Sequence, residues 1–182
     1  MDETIITNHN SLVKPGDLVI HVGDFTLGKK GAPYIAKLHG DHIFLRGSHD
    51  KWLRSASEIW ERNIEGQIVV ACHYAMRVWP KSHYGAWQVY GHSHGHLPPL
   101  GKQHDVGVDN NNFFPVSWKE LKVIMAGRDD NPNLLKKEQL RGRDETQIGY
   151  DNSGCTPGDG GRESRSDNGT DRDDAGSGEG RS

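Results

Sequence analysis

Residues 17–24 read DLVIHVGD, an apolar run that opens behind the turn signal Pro15-Gly16 and stops at a glycine followed by a carboxylate. A run this short, rich in β-branched residues and bounded by Pro and Gly, is the signature of a buried strand. The same sentence is repeated along the chain. HIFLR (42–46) runs into Gly47-Ser48-His49-Asp50, QIVVAC (67–72) into His73, WQVY (87–90) into GHSHGH (91–96), and DVGV (105–108) into Asp109. In open α/β sheets ligands bind beyond the carboxyl ends of the strands. These His and Asp side chains are therefore expected to converge at one edge of a sheet, as a metal site requires.

Between the strands lie stretches expected to be helical: residues 32–38, residues 51–60 with Trp52, Ala56 and Ile59 on one side, and a closing helix over 115–125. Strands alternating with helices make the fold class α/β. The 182-residue chain divides by composition. Residues 1–126 form the domain. Residues 127–182 are rich in Arg, Asp, Gly, Ser, Asn and Glu, and bury too little apolar surface to offset their ordering entropy, so they are expected to be a disordered tail.

A net charge of -3 and a pI near 6.4 leave no electrostatic footprint for sequence-independent nucleic-acid binding, although nucleic acid remains open as a substrate. The two cysteines, Cys72 and Cys155, give neither a disulfide framework nor a zinc knuckle. No run approaches the roughly 18 apolar residues of a membrane helix, and the N-terminus lacks the pattern of a signal peptide. A cytoplasmic protein with no membrane partner is expected.

Each candidate taken singly has a plain structural explanation. An aspartate after a strand caps helices or forms turns, a histidine after an apolar run is a hydrogen-bonded core residue, and His92 to His96 is a surface tract. The order of the set is more specific. GD, then G-x-H-D, then an isolated His, then GHxH, each at a strand end, resembles the calcineurin-like metallophosphoesterase family over about residues 1–125. The stretches MDETIITNHNSLVKPGDLVIHVGDF, HYAMRVWP and DVGVDNNNFFPVSWKEL are similar to a small bacterial and phage-type branch of it.

The resemblance implies a calcineurin-like sheet with flanking helices and two divalent metals at the strand ends. In it Asp24 bridges the metals, His73 and His92 ligate one, and His94 ligates the other. His49 meets the phosphate and protonates the leaving oxygen, and Asp50 orients His49. The implied activity is hydrolysis of phosphomonoesters or phosphodiesters by metal-activated water, with nucleotides or nucleic acid among the candidate substrates. Mixed imidazole and carboxylate ligands suit Mn, Fe, Zn or Ni better than Mg or Ca, and a pair of such ions clamps a phosphoryl group.

Two departures qualify that expectation. The family's first motif, D-x-H after an initial strand, has no counterpart, since Asp2 and His9 have the wrong spacing. An N-terminally truncated domain lacking its first strand is expected. Ser48 stands where the family has an asparagine metal ligand, and a serine hydroxyl is a shorter and weaker donor. The site of Asp24, His73 and His92 is then the better preserved, with one ion rather than two. The alternative function is an inactive remnant that binds metal or a phosphate ligand without turnover, and a third reading is an α/β binding domain with incidental histidines. Arg46, Arg77, Lys81 and His83 are weighed as phosphate contacts against solvated charges, and Trp79, Trp87 and Trp118 are read as packing residues.

Overall fold

The protein is described from a computed structural model. It divides into two units, Met1–Gly142 and Arg143–Ser182. The described residues are 2–27 and 30–136, all in the first unit. Most of the expected tail, and the reading of it as disordered, lies outside them.

The chain is mixed α/β. Helix α1 (Asp2–Leu12) leads into strand β1 (Leu18–His21), a single helical turn α2 (Ala32–Ile35) and strand β2 (Asp41–Phe44). Strands β3 (Ile59–Ile64), β4 (Gln67–Cys72), β5 (Trp87–Tyr90) and β6 (Gln103–Asp105) follow, and helix α3 (Trp118–Ala126) comes last. β1 and β2 pair in parallel as one sheet. The other sheet has the order β3-β4-β5-β6, antiparallel between β3 and β4 and parallel thereafter.

β4 shows why its sequence is an unbroken apolar run. Side chains alternate faces along a strand, and both faces of β4 are covered. Val69 and Ala71 join Leu45, Trp60, Val89, Leu121 and Met125 in the main core, with Ile20, Val22 and Ile43 of the β1–β2 region packed against it. Val70 points the other way, into a cluster with Trp79 and Ala86. A strand buried on both sides has no position for a charge.

The opposite face of the β1–β2 sheet is built from rings. His21 stacks on Phe44 at 4.5 Å between centroids, Phe25 meets both edge-on, and Trp52 packs beside them. His21 Nε2 lies 3.0 Å from His42 Nδ1, and His9 of α1 bonds the His39 carbonyl at 2.8 Å. Burial first, then the neighbouring His42 and His9, pushes the His21 imidazole down to about 3, so it is neutral in the fold.

Several sequence expectations are corrected. Residues 51–58 are turns, not a helix: Leu53 and Ala56 donate to carbonyls three residues back, and the Ser57 carbonyl accepts from Arg46 N, drawing the segment alongside residue 46. Trp52 serves the ring face, where it fills the space beside Gly31 that a Cβ would need. Residues 59–64 instead form β3, joined to β4 through Glu65 (φ 51°) and Gly66 (φ 87°). Two positive φ values in a two-residue loop are what a tight hairpin requires.

The last strand ends at Asp105 rather than starting there, and Val108–Asn110 is a 3-10 turn. The closing helix starts at Trp118, because Ser117 and Glu120 form a reciprocal capping box. Residues 127–136, assigned by composition to the tail, are packed on the domain. Asn131 is 3% exposed, donates to the Ser82 and Ala86 carbonyls, and accepts from Lys102 N.

Candidate metal centre

The chain crosses itself where β1 and β2 end. Gly23 (φ 101°) and Asp24 (φ 54°) both take left-handed conformations, a turn that glycine makes freely and aspartate tolerates. A Cβ on Gly23 would lie 2.7 Å from the backbone of Gly47, and one on Gly47 would lie 2.3 Å from Asp24 Oδ1. Both motifs therefore carry glycine because the two loops touch there.

Asp50 locks this crossing. Its side chain is buried, and its carboxylate accepts the backbone N–H groups of Asp24 at 2.5 Å, Gly47 at 3.0 Å and Phe25 at 3.1 Å. Among the described residues no hydrogen bond joins the side chains of Asp50 and His49. The Asp24 carboxylate is aimed in turn, accepting His49 N–H at 2.7 Å and the Ser48 hydroxyl at 3.1 Å.

His73 follows the last residue of β4 and is 1% exposed. Its Nδ1 is 3.0 Å from the Val22 carbonyl. A carbonyl only accepts, so Nδ1 carries the proton and Nε2 presents a lone pair. That Nε2 is buried without a hydrogen-bond partner and lies 3.2 Å from Asp24 Oδ2. A buried imidazole nitrogen facing a carboxylate oxygen at this distance is satisfied by a cation between them, a proton or a metal ion.

His92 completes the group. Its backbone is left-handed (φ 67°), and its ring lies 4.9 Å from His73 and 4.7 Å from Tyr74. Ligand atoms of Asp24, His73 and His92 all come within 4.8 Å of one another. One carboxylate and two imidazoles, one of them tautomerically fixed by a backbone carbonyl, fit a divalent transition metal.

The loop that carries His92 is held by Asp105, a residue that sequence reasoning missed. Asp105 accepts the Ser93 hydroxyl at 3.0 Å, Gly95 N–H at 3.0 Å and Gly107 N–H at 2.9 Å. It does for the histidine loop what Asp50 does for the first crossing. The only signal in the sequence is its place at the end of a strand two residues before a glycine, and that signal is weak.

The other expected site residues stand apart from the three. His94 is exposed and its Nδ1 is paired with Asp109, whose carboxylate raises the His94 pKa. Ser48 donates its hydroxyl to Asp24, and His49 is exposed, its backbone N–H bonded to the same carboxylate. Asp2 and His9 both lie on α1. A cleft of about 570 Å³ opens beside the cluster, lined by Ser48 and His73 together with Arg46, Lys51 and Arg54.

Fold and site together define a mixed α/β domain with a candidate metal centre at its strand ends. The fold is similar to that of a protein of unknown function from Aquifex aeolicus, AQ665, with a TM-score of 0.54 over 68% of this chain and 84% of that one at 21% identity. The chain belongs to one family with the uncharacterized protein MJ1445 of Methanocaldococcus jannaschii. The two are 30% identical over 144 residues, which cover 70% of this chain and 77% of its relative. No family model matches the chain.

Proposed function

We propose that this chain is a metal-dependent phosphoesterase of the calcineurin-like kind, with Asp24, His73 and His92 holding a divalent ion. The observation that carries this reading is the buried, unpartnered Nε2 of His73 facing Asp24, with His92 beside it. A bound ion of this class supplies Lewis acidity, activating a water and offsetting charge on a phosphoryl group. Mn, Fe, Zn and Ni all suit the donor set.

The protein's own groups do the rest. Asp24 is oriented by His49 N–H and the Ser48 hydroxyl, and the Val22 carbonyl fixes the tautomer of His73. His49 rides on the loop that closes over Asp24 with its ring open to a ligand, and in this reading it donates the proton that the leaving oxygen takes up. Asp50 and Asp105 hold the two ligand loops, so that the ion meets preset donors. The substrate is a phosphomonoester or phosphodiester, nucleotides included. The proposed setting is the cytoplasm: Cys72 is a free thiol, and among the described residues no helix is long and apolar enough to cross a membrane.

Purified protein supplied with manganese should hydrolyse an aryl phosphodiester or phosphomonoester well above an Asp24→Ala control. Equal rates in the two proteins would sink the assignment. A second reading is metal or phosphate binding without turnover, favoured by the engagement of His94 with Asp109 and by Ser48 acting as a hydrogen-bond donor to Asp24. Manganese binding with no hydrolysis of either ester would select it.

A further inference from the structure

The cleft beside the metal centre has a charge that the metal reading does not use. Lys51 and Arg54 line it, both exposed, and among the described residues neither has a carboxylate within ion-pair distance. The other charges on its wall are already engaged. Arg46 is paired with Glu58, and the Asp50 carboxylate is taken up by three backbone N–H groups. The uncompensated charge of the cleft is therefore positive, and it sits on the turns that follow His49-Asp50. Those turns are fixed by bonds from Lys51 N to the His49 carbonyl and from Leu53 N to the Asp50 carbonyl.

Apart from Ser48 and His73, the rest of the wall is apolar. Ile59 and Tyr74 are both more than 40% exposed in the cleft, and Met76 and Cys72 lie beside them. Tyr74 also packs edge-on to His73 and His92, so the apolar wall begins at the candidate metal ligands.

We infer that this cleft holds a phosphoester bearing a second phosphate and a flat apolar body, the class of nucleoside diphosphates and their longer relatives, with Lys51 and Arg54 as the positioning residues for the phosphate not undergoing reaction. The inference rests on the proposed function only for which phosphate reacts; binding by the cleft stands without it. Two cations that need not break an ion pair to bind give charge-assisted hydrogen bonds to phosphate oxygens, and the aromatic and aliphatic wall takes the base. A single phosphate at the metal centre leaves the cations unused. A second phosphate engages them.

The test is equilibrium binding of a fluorescent ADP derivative to the full chain, read by anisotropy at low salt with EDTA present, so that neither metal nor turnover enters. The wild type binds it, and ADP competes at least ~10-fold better than AMP, the difference one charge-assisted phosphate contact supplies. Lys51→Ala/Arg54→Ala weakens binding by at least ~10-fold, while Lys119→Ala, which removes a cation on α3, leaves it unaltered. Lys51→Arg/Arg54→Lys keeps both charges and retains binding, which separates charge from misfolding. Absence of ADP binding, AMP competing as well as ADP, or unchanged affinity in the double alanine variant would each overturn the inference. Failure of the phosphoesterase reading looks different: ADP binds as described, and manganese brings no hydrolysis.

Discussion

At Gly47 the absence of a side chain is a condition of the site. A methyl group there would overlap the Asp24 carboxylate and backbone N–H, both within 2.4 Å of the Cβ position. Gly47→Ala is expected to cost about 1–3 kcal/mol in chemical denaturation, the range for forced overpacking, and to weaken metal binding, because it displaces the carboxylate of the candidate ligand Asp24. A variant as stable as the wild type would show that the loops do not cross as described. His49 has a different signature. If its ring donates a proton to the leaving oxygen, His49→Ala lowers kcat by about 10²–10⁴-fold for alkyl esters, whose alkoxide leaving groups need the proton, and far less for nitrophenyl esters. Equal losses for both substrates would remove His49 from that role.

Among the elements, β1 and β2 form a sheet with one aliphatic and one ring-lined face, and the histidines on the latter tie stability to pH. His21 is pushed down to about 3 in the fold against 6.5 when unfolded, and His42 on the same face is displaced in the same direction, as is His104 of β6 in the other sheet, burial being the leading cause in each. The unfolded chain then binds more protons than the fold over this interval, so stability is full above about pH 6.5 and declines as pH falls toward 3. His21 alone contributes at most about 5 kcal/mol to that decline at 1.36 kcal/mol per pKa unit. Urea denaturation at pH 7 and pH 5 should show the loss, and His21→Phe should flatten it; a wild-type slope unchanged in that variant would clear His21 of responsibility.

The strands that end in ligands were legible because burial on two faces and a following Gly, His or Asp leave a linear trace, as in QIVVAC-His73. β3 was not legible. Its alternation is broken by Glu61, Arg62 and Asn63 at the edge of a sheet, while Trp52, Ala56 and Ile59 imitate a helical face although Trp52 serves the ring cluster. Asp50 and Asp105 were half-hidden for a related reason. Their partners are mostly backbone N–H groups, several of them on another loop, and nothing in the order of side chains records such bonds. The likeness of GD, GSHD, H and GHSH to a metal-site pattern was readable, and Asp24, His73 and His92, expected around one ion, come together; His94, expected at the other ion, is paired with Asp109.

On the scale of the molecule, the core continues past α3. Asn131 binds the Ser82 and Ala86 carbonyls and the Lys102 N–H, and Lys102 Nζ reaches the Met125 and Arg128 carbonyls at the end of the helix. Asn131→Ala orphans buried partners and is expected to cost about 1–3 kcal/mol, the penalty for leaving such groups unsatisfied. No change in the unfolding midpoint would return residues 127–136 to the status of a tail. Everything proposed for the chain's chemistry depends on the cluster where the two sheets' loops meet. The most direct measurement is a calorimetric titration of the metal-free protein with manganese at neutral pH. The account predicts one tight ion per chain, lost in Asp24→Ala and in His73→Gln, while His94→Ala retains it. No binding by the wild type, or binding that survives both ligand substitutions, would contradict it.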